Sequence, residues 1–145
     1  MNRCLWLVPA IVVAVAAQAL AYVPKQDIKV ERDGLTKFKF SGKNTRGELK
    51  VEVKDQNLFQ GFKGEGTNGT AKVEFEIRSA GLGKGWKITG KNGDDRIEIL
   101  AKKKDLLSDE WEVTGKAGSR EIKETIDGTW DIDPAVGAAF IAFDF

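Results

Sequence analysis

The sequence predicts an all-β fold, an antiparallel up-and-down meander of about ten strands, built from four β-hairpin repeats of about 24 residues and closed as a barrel or clam. Three observations predict it. Four segments run from an aromatic residue to Gly four positions later: Phe38 to Gly42, Phe62 to Gly66, Trp86 to Gly90 and Trp111 to Gly115, at intervals of 24, 24 and 25. Counting on from each aromatic, the eleventh, thirteenth and fifteenth positions read Leu49/Val51/Val53, Val73/Phe75/Ile77, Ile97/Ile99/Ala101 and Ile122/Glu124/Ile126, so eleven of twelve are apolar. Lys, Glu and Arg stand between them, which is the period-two pattern of a half-buried strand, and no comparable run at helical spacing follows residue 21.

Residues 1–21 carry a basic start at Arg3, an apolar run from Leu5 to Ala17 and the small-residue site Ala19-Leu20-Ala21, the layout of a secretory signal peptide. Gln18 ends the run short of the roughly 20 apolar residues a spanning helix needs, which disfavours a membrane anchor. Cleavage after Ala21 leaves residues 22–145, 124 in all, as a single β-meander domain with 22 basic and 22 acidic residues and no sulfur. Disulfides and thiolate chemistry are thereby excluded. The whole chain has no His, so an imidazole base, a His metal site and a Ser-His-Asp triad go as well. Balanced, interspersed charge also argues against a nucleic-acid partner, which needs a basic patch, and no basic amphipathic stretch marks a membrane surface.

Ile28 and Val30 form the first predicted strand and lead through Asp33-Gly34 into the repeat. Asn68-Gly69 and Asn92-Gly93 tolerate positive φ and suit the central pair of a type I′ turn, with Asn44-Thr45 and Ala117-Gly118 in the outer units. That placement sets each aromatic opposite the thirteenth position, Glu124 opposite Trp111, and the outward pairs as Lys39/Lys50, Lys63/Glu74, Lys87/Glu98 and Glu112/Lys123. Downstream, Trp130-Asp131-Ile132 reads as a strand that turns at Asp133-Pro134 into a last strand, Ala139 to Phe145. With no helix expected to cover the apolar face, the sheet has to close on itself.

Asp127-Gly128-Thr129-Trp130 resembles the Gly-x-Trp strand opening of the calycins (lipocalins, fatty-acid-binding proteins and avidins), although here it begins the penultimate strand rather than the first. Trp130-Asp131-Ile132-Asp133-Pro134-Ala135 resembles the opening of YceI-like periplasmic lipid-binding barrels, with Val136 where that family usually places His. The first resemblance implies a β-barrel architecture only, the second a lipid-binding β-barrel. The alternation Ile141, Phe143, Phe145 resembles the closing strand of outer-membrane barrels and keeps a small outer-membrane β-barrel open as an alternative.

Glu124 is the one polar residue among the twelve repeat positions. It is either a carboxylate on an apolar wall, suited to a polar head group, or a residue turned to solvent by a bulge. Phe62, Trp86, Trp111 and Trp130 complete the candidate ligand-binding set, in which Phe38 shares the level, either as a stacking ring for an apolar guest or as plain core. Gly64 and Ala101 leave inward space. The acidic turns around Asp94-Asp95 and Asp131/Asp133 lack the ordered spacing of a calcium loop, so neither a metal nor a cofactor is expected.

The expectation is an exported, periplasmic or extracellular, non-enzymatic protein binding a small apolar or amphiphilic ligand. A catalytic role would ask for two positioned carboxylates, and only Glu124 is read as inward. The alternative is a structural or surface-interaction repeat protein with a filled core.

Overall fold

Alternating side chains give each strand one face to bury, and nine strands do so in a single antiparallel sheet whose spatial order is the order of the chain. The structure, a computed structural model, describes residues 27–34, 36–57, 61–128 and 132–145. The expected signal peptide lies outside them. The strands are β1 (Ile28–Asp33), β2 (Lys37–Asn44), β3 (Gly47–Asn57), β4 (Gly61–Asn68), β5 (Ala71–Ser79), β6 (Trp86–Asn92), β7 (Asp95–Lys103), β8 (Glu110–Ala117) and β9 (Arg120–Asp127). In β5, for example, Val73, Phe75 and Ile77 are buried while Lys72, Glu74 and Arg78 are exposed. The sheet is open, with β1 and β9 as its edges, which corrects the expected closure.

What replaces closure is a helix, α1 (Ile132–Phe143), where two further strands were expected. Every residue from Pro134 to Phe143 is buried. The run Pro-Ala-Val-Gly-Ala-Ala-Phe-Ile-Ala-Phe has no polar side, so it shows no helical stripe, and the apparent alternation of Ile141, Phe143 and Phe145 is one of side-chain size. Pro134 falls in the first turn, where a missing N–H costs no helical bond. The helix packs on β6 to β9, and its phenylalanines reach further round the sheet. Phe140 lies 5.6 Å from Phe40 of β2, and Phe143 lies 4.6 Å from Phe75 of β5, between ring centroids.

A helix buried on all sides cannot leave its last carbonyls to water. Asp144, at φ 56°, turns the chain so that Asp144 N–H donates to Ile141 O and Phe145 N–H to Phe140 O, a Schellman arrangement closed by the Phe140–Phe145 ring contact. The sheet supplies the remaining donors. Arg120 Nη2 donates to Ile141 O and Ala142 O, both at 3.0 Å, while Asn68 Nδ2 and Asn92 Nδ2 donate to Phe143 O at 3.4 and 3.2 Å.

Those two asparagines explain a second departure from expectation. They do not occupy the turns; they close the ladders as Asn68↔Ala71 and Asn92↔Asp95, leaving Gly69-Thr70 and Gly93-Asp94 as the two-residue loops. Gly69 and Gly93 both have φ 63°, the first central position of a type II′ turn. The register is therefore two residues from the expected one: each aromatic faces the fifteenth position, as in Phe62↔Ile77, Trp86↔Ala101 and Trp111↔Ile126. A slip of two keeps every side chain on its face. It also puts Lys39 opposite Glu52 rather than Lys50, and Glu112 opposite Thr125 rather than Lys123. Lys87, now opposite Leu100, still reaches Glu98 on the diagonal at 2.9 Å.

The glycine that ends each aromatic-to-glycine segment marks where strands crowd on the concave face. A Cβ on Gly66 would lie 2.0 Å from Lys50 O, and one on Gly90 would lie 2.2 Å from Glu74 O. No side chain fits there, and the sheet can coil tightly around α1.

Asn92→Ala should lower stability by about 0.5–1.5 kcal/mol, because it removes one of the two amide donors to the buried Phe143 O; urea unfolding measures it. The hydrogen bond from Lys87, with its charge, holds the Glu98 carboxyl below the usual glutamate range. A depressed folded pKa contributes stability above the unfolded value and loses it as pH falls through the folded value. Thermal unfolding from neutral to acidic pH should therefore show a smaller loss in Glu98→Gln than in the wild type.

Candidate functional site

The strands meet two kinds of connection. At one end of the sheet are the tight turns that cap α1; at the other are longer loops, including residues 80–85 between β5 and β6 and 104–109 between β7 and β8. Between these two loops lies a crevice of about 530 Å³. Trp86 and Trp111, both sequence candidates, line it.

Its shape follows from local sequence. Trp86 opens β6 and stands opposite Ala101, whose small side chain leaves the half-buried indole a free flank. Ala80 N–H donates to Gly85 O at 2.8 Å and Lys84 N–H to Gly81 O at 3.0 Å, which folds the glycine-rich 80–85 loop back on itself. In the facing loop, Ser108 N–H donates to Asp105 O at 3.3 Å, and Ser108 Oγ accepts from Glu110 N–H at 3.0 Å. Lys104 Nζ donates to Glu110 Oε2 at 2.7 Å, and that bond, with the carboxylate's charge, holds the Lys104 ammonium above the usual lysine range. Its charge is thus already matched.

Lys103 is different. It continues the inward row Ile97, Ile99, Ala101, stands opposite Trp111 and is half-buried at the crevice wall. The Trp111 ring is buried, and its Nε1–H has no hydrogen-bond partner among the described residues. A buried donor left unpaired costs about 1–3 kcal/mol, so an acceptor there would be favoured. The crevice thus combines two indoles, an inward cation and one carboxylate, Asp105, among its lining residues. It can hold an apolar body against the rings and an anionic group near Lys103. Among the described residues no three acidic, His or Cys side chains gather as a metal site.

The other candidates lie elsewhere. Phe62 is half-buried and meets Phe38 edge-on at 6.4 Å, as core packing. Glu124 stands opposite Val113, not Trp111, and is exposed on the edge strand β9; it lies on the row of Ile122 and Ile126, which are buried, but outside the crevice. The space beside Gly64 is filled by the Phe75 ring, and Trp130 lies outside the described residues. Reading the row of Ile97 two positions past Ala101 would have found Lys103. Leu82, Leu106 and Leu107, which stand fully or nearly exposed on the two loops, carried no periodic signal.

Other depressions carry less chemistry. Grooves of about 460 and 430 Å³ run among the Lys and Glu side chains of the strands. One of about 210 Å³ at the tight-turn end holds Asp95 and Asp144, each faced by an arginine at 3.8 Å. The chain matches no protein-family model, no curated protein and no solved structure.

In a Trp130→Phe background, acrylamide should quench Trp86 strongly and Trp111 weakly. Trp86→Phe should then remove most of the quenchable emission, while Trp111→Phe should leave it.

Proposed function

We propose that this chain is an exported, non-enzymatic β-sheet protein that binds a small amphiphilic ligand, its apolar part on Trp86 and Trp111 and its anionic end at Lys103. The observation that carries this reading is the meeting of two indoles and an inward lysine in one crevice of about 530 Å³, a size typical of small-molecule sites. Export rests on the amino-terminal apolar segment and its small-residue site. The four hairpins are read as copies of one 24-residue unit, supported by the common offset of each aromatic from its cross-strand partner.

A second reading, a surface-interaction protein with a filled core, is favoured by α1 occupying the concave face and by the two open sheet edges. Binding of decanoate and of decanol, followed by calorimetry and Trp fluorescence, separates the two. The ligand reading expects saturable 1:1 binding with decanoate preferred. Lys103→Gln should weaken decanoate by about tenfold or more and leave decanol nearly unchanged, since an ion-assisted contact contributes about 1.5–3 kcal/mol. Ala101→Leu should weaken both by filling the flank of Trp86. Absence of saturable binding, or binding indifferent to these substitutions, favours the surface-interaction reading.

A further inference from the structure

Of the chain's five asparagines, only Asn68 and Asn92 are followed by glycine. That dipeptide is reactive, because a glycine without Cβ lets its backbone nitrogen swing onto the side-chain carbonyl of the preceding asparagine and close a five-membered ring. The same two asparagines hold the end of α1. A self-reacting sequence thus stands at the point where the fold is capped.

Folding keeps the reacting groups apart. Gly69 N–H is donated to Glu48 O at 2.9 Å and Gly93 N–H to Lys72 O at 2.8 Å, so each nucleophilic nitrogen is engaged on the neighbouring hairpin. The side chains are engaged as well. Asn68 and Asn92 are 1% and 3% exposed, both amides reach Phe143 O, and Asn68 Oδ1 accepts from Asn44 Nδ2 at 2.8 Å. The bonds to Phe143 exist only while α1 is docked.

We propose that Asn68 and Asn92 form a latent modification site, silent in the folded chain and self-reacting whenever the tight-turn end stands open, so that time spent unfolded is recorded covalently. Water is the only co-reactant. The glycine nitrogen bonds to the asparagine Cγ and gives its proton to solvent, while the bond from Cγ to the amide nitrogen breaks and that nitrogen takes a proton and leaves as ammonia. Water then opens the succinimide at either carbonyl. The products are aspartate or, with the main chain routed through the side chain, isoaspartate. Neither reproduces the folded contacts: aspartate presents oxygen where Phe143 O needs a donor, and isoaspartate adds a methylene to a strand backbone beside a two-residue turn. When both sites have reacted, Phe143 O has lost both amides. This chemistry stands apart from the crevice and does not depend on a ligand there.

The test is peptide mass spectrometry of the chain aged at neutral pH in urea and in urea-free buffer, with released ammonia assayed beside it. In urea both sites should pass from amide to acid with equimolar ammonia and yield isoaspartate, while Asn44, whose successor Thr45 is β-branched, stays an amide. In buffer both should stay amides over the same time. Ile141→Val, which loosens the buried α1 without touching either asparagine, should raise conversion in buffer about two- to tenfold, because modification of an open form tracks how often it opens. Chain aged in urea and returned to buffer should regain native circular dichroism and Trp fluorescence only in the fraction that keeps both amides. Conversion in buffer as fast as in urea would overturn the proposal, as would amides that persist in urea. Fully converted chain that refolds with the wild-type melting temperature would overturn it as well.

Discussion

The helix α1 has no side that water can wet, and this single constraint organises the rest of the molecule. The ten residues from Pro134 to Phe143, buried on every face, must be enclosed by apolar surface, and their terminal carbonyls must find donors inside the protein. The sheet answers both demands. Its inner rows of Val, Ile and Phe enclose the helix, the glycines on β4 and β6 let neighbouring strands crowd together, and donors come in from three different strands. Arg120 adds a charge suited to the negative end of a helix that carries no basic residue in its own last turn.

Enclosing a helix also fixes where a ligand could be held. Twelve residues at 1.5 Å each span about 18 Å, whereas the nine residues of β5 or β7 reach about 30 Å. The helix is anchored at the tight-turn end, where Asn68 and Asn92 hold its last carbonyl. The shortfall therefore falls at the long-loop end, where Trp86, Trp111 and Lys103 face inward beyond the phenylalanine core. One end of the sheet is thus committed to capping and the other is left with room.

How far the sequence could be read follows from these parts. Period-two patterning located β2 to β9 and assigned their faces, because burial on one side and charge on the other leaves a clear trace. The same method had no purchase on α1, whose apolar residues face the core in all directions. The register came out two residues off because Asn-Gly is a turn signal in isolation, whereas here the asparagine is needed as a donor to Phe143 O. Of the candidate site, Trp86 and Trp111 were found by their place in the repeat. Lys103 was missed because the row was followed no further than Ala101, and the loop leucines because a lone apolar pair between turn residues has no period.

Glu124 shows the difference between a face and an environment. Alternation correctly set it on the row of Ile122 and Ile126, but that row carries burial only where another strand or the helix covers it. On the edge strand β9 Ile122 and Ile126 keep that cover, while the same orientation at Glu124 opens to solvent. A carboxylate in the inward row of an edge opposes pairing with a further strand, since the incoming ladder would have to desolvate it. Arg32 occupies the corresponding row on the other edge, its guanidinium 5.4 Å from the Phe38 ring centre. Charge placed on the inner rows of both edges keeps an open nine-stranded sheet from extending itself, and the helix completes the core that closure would otherwise have had to supply.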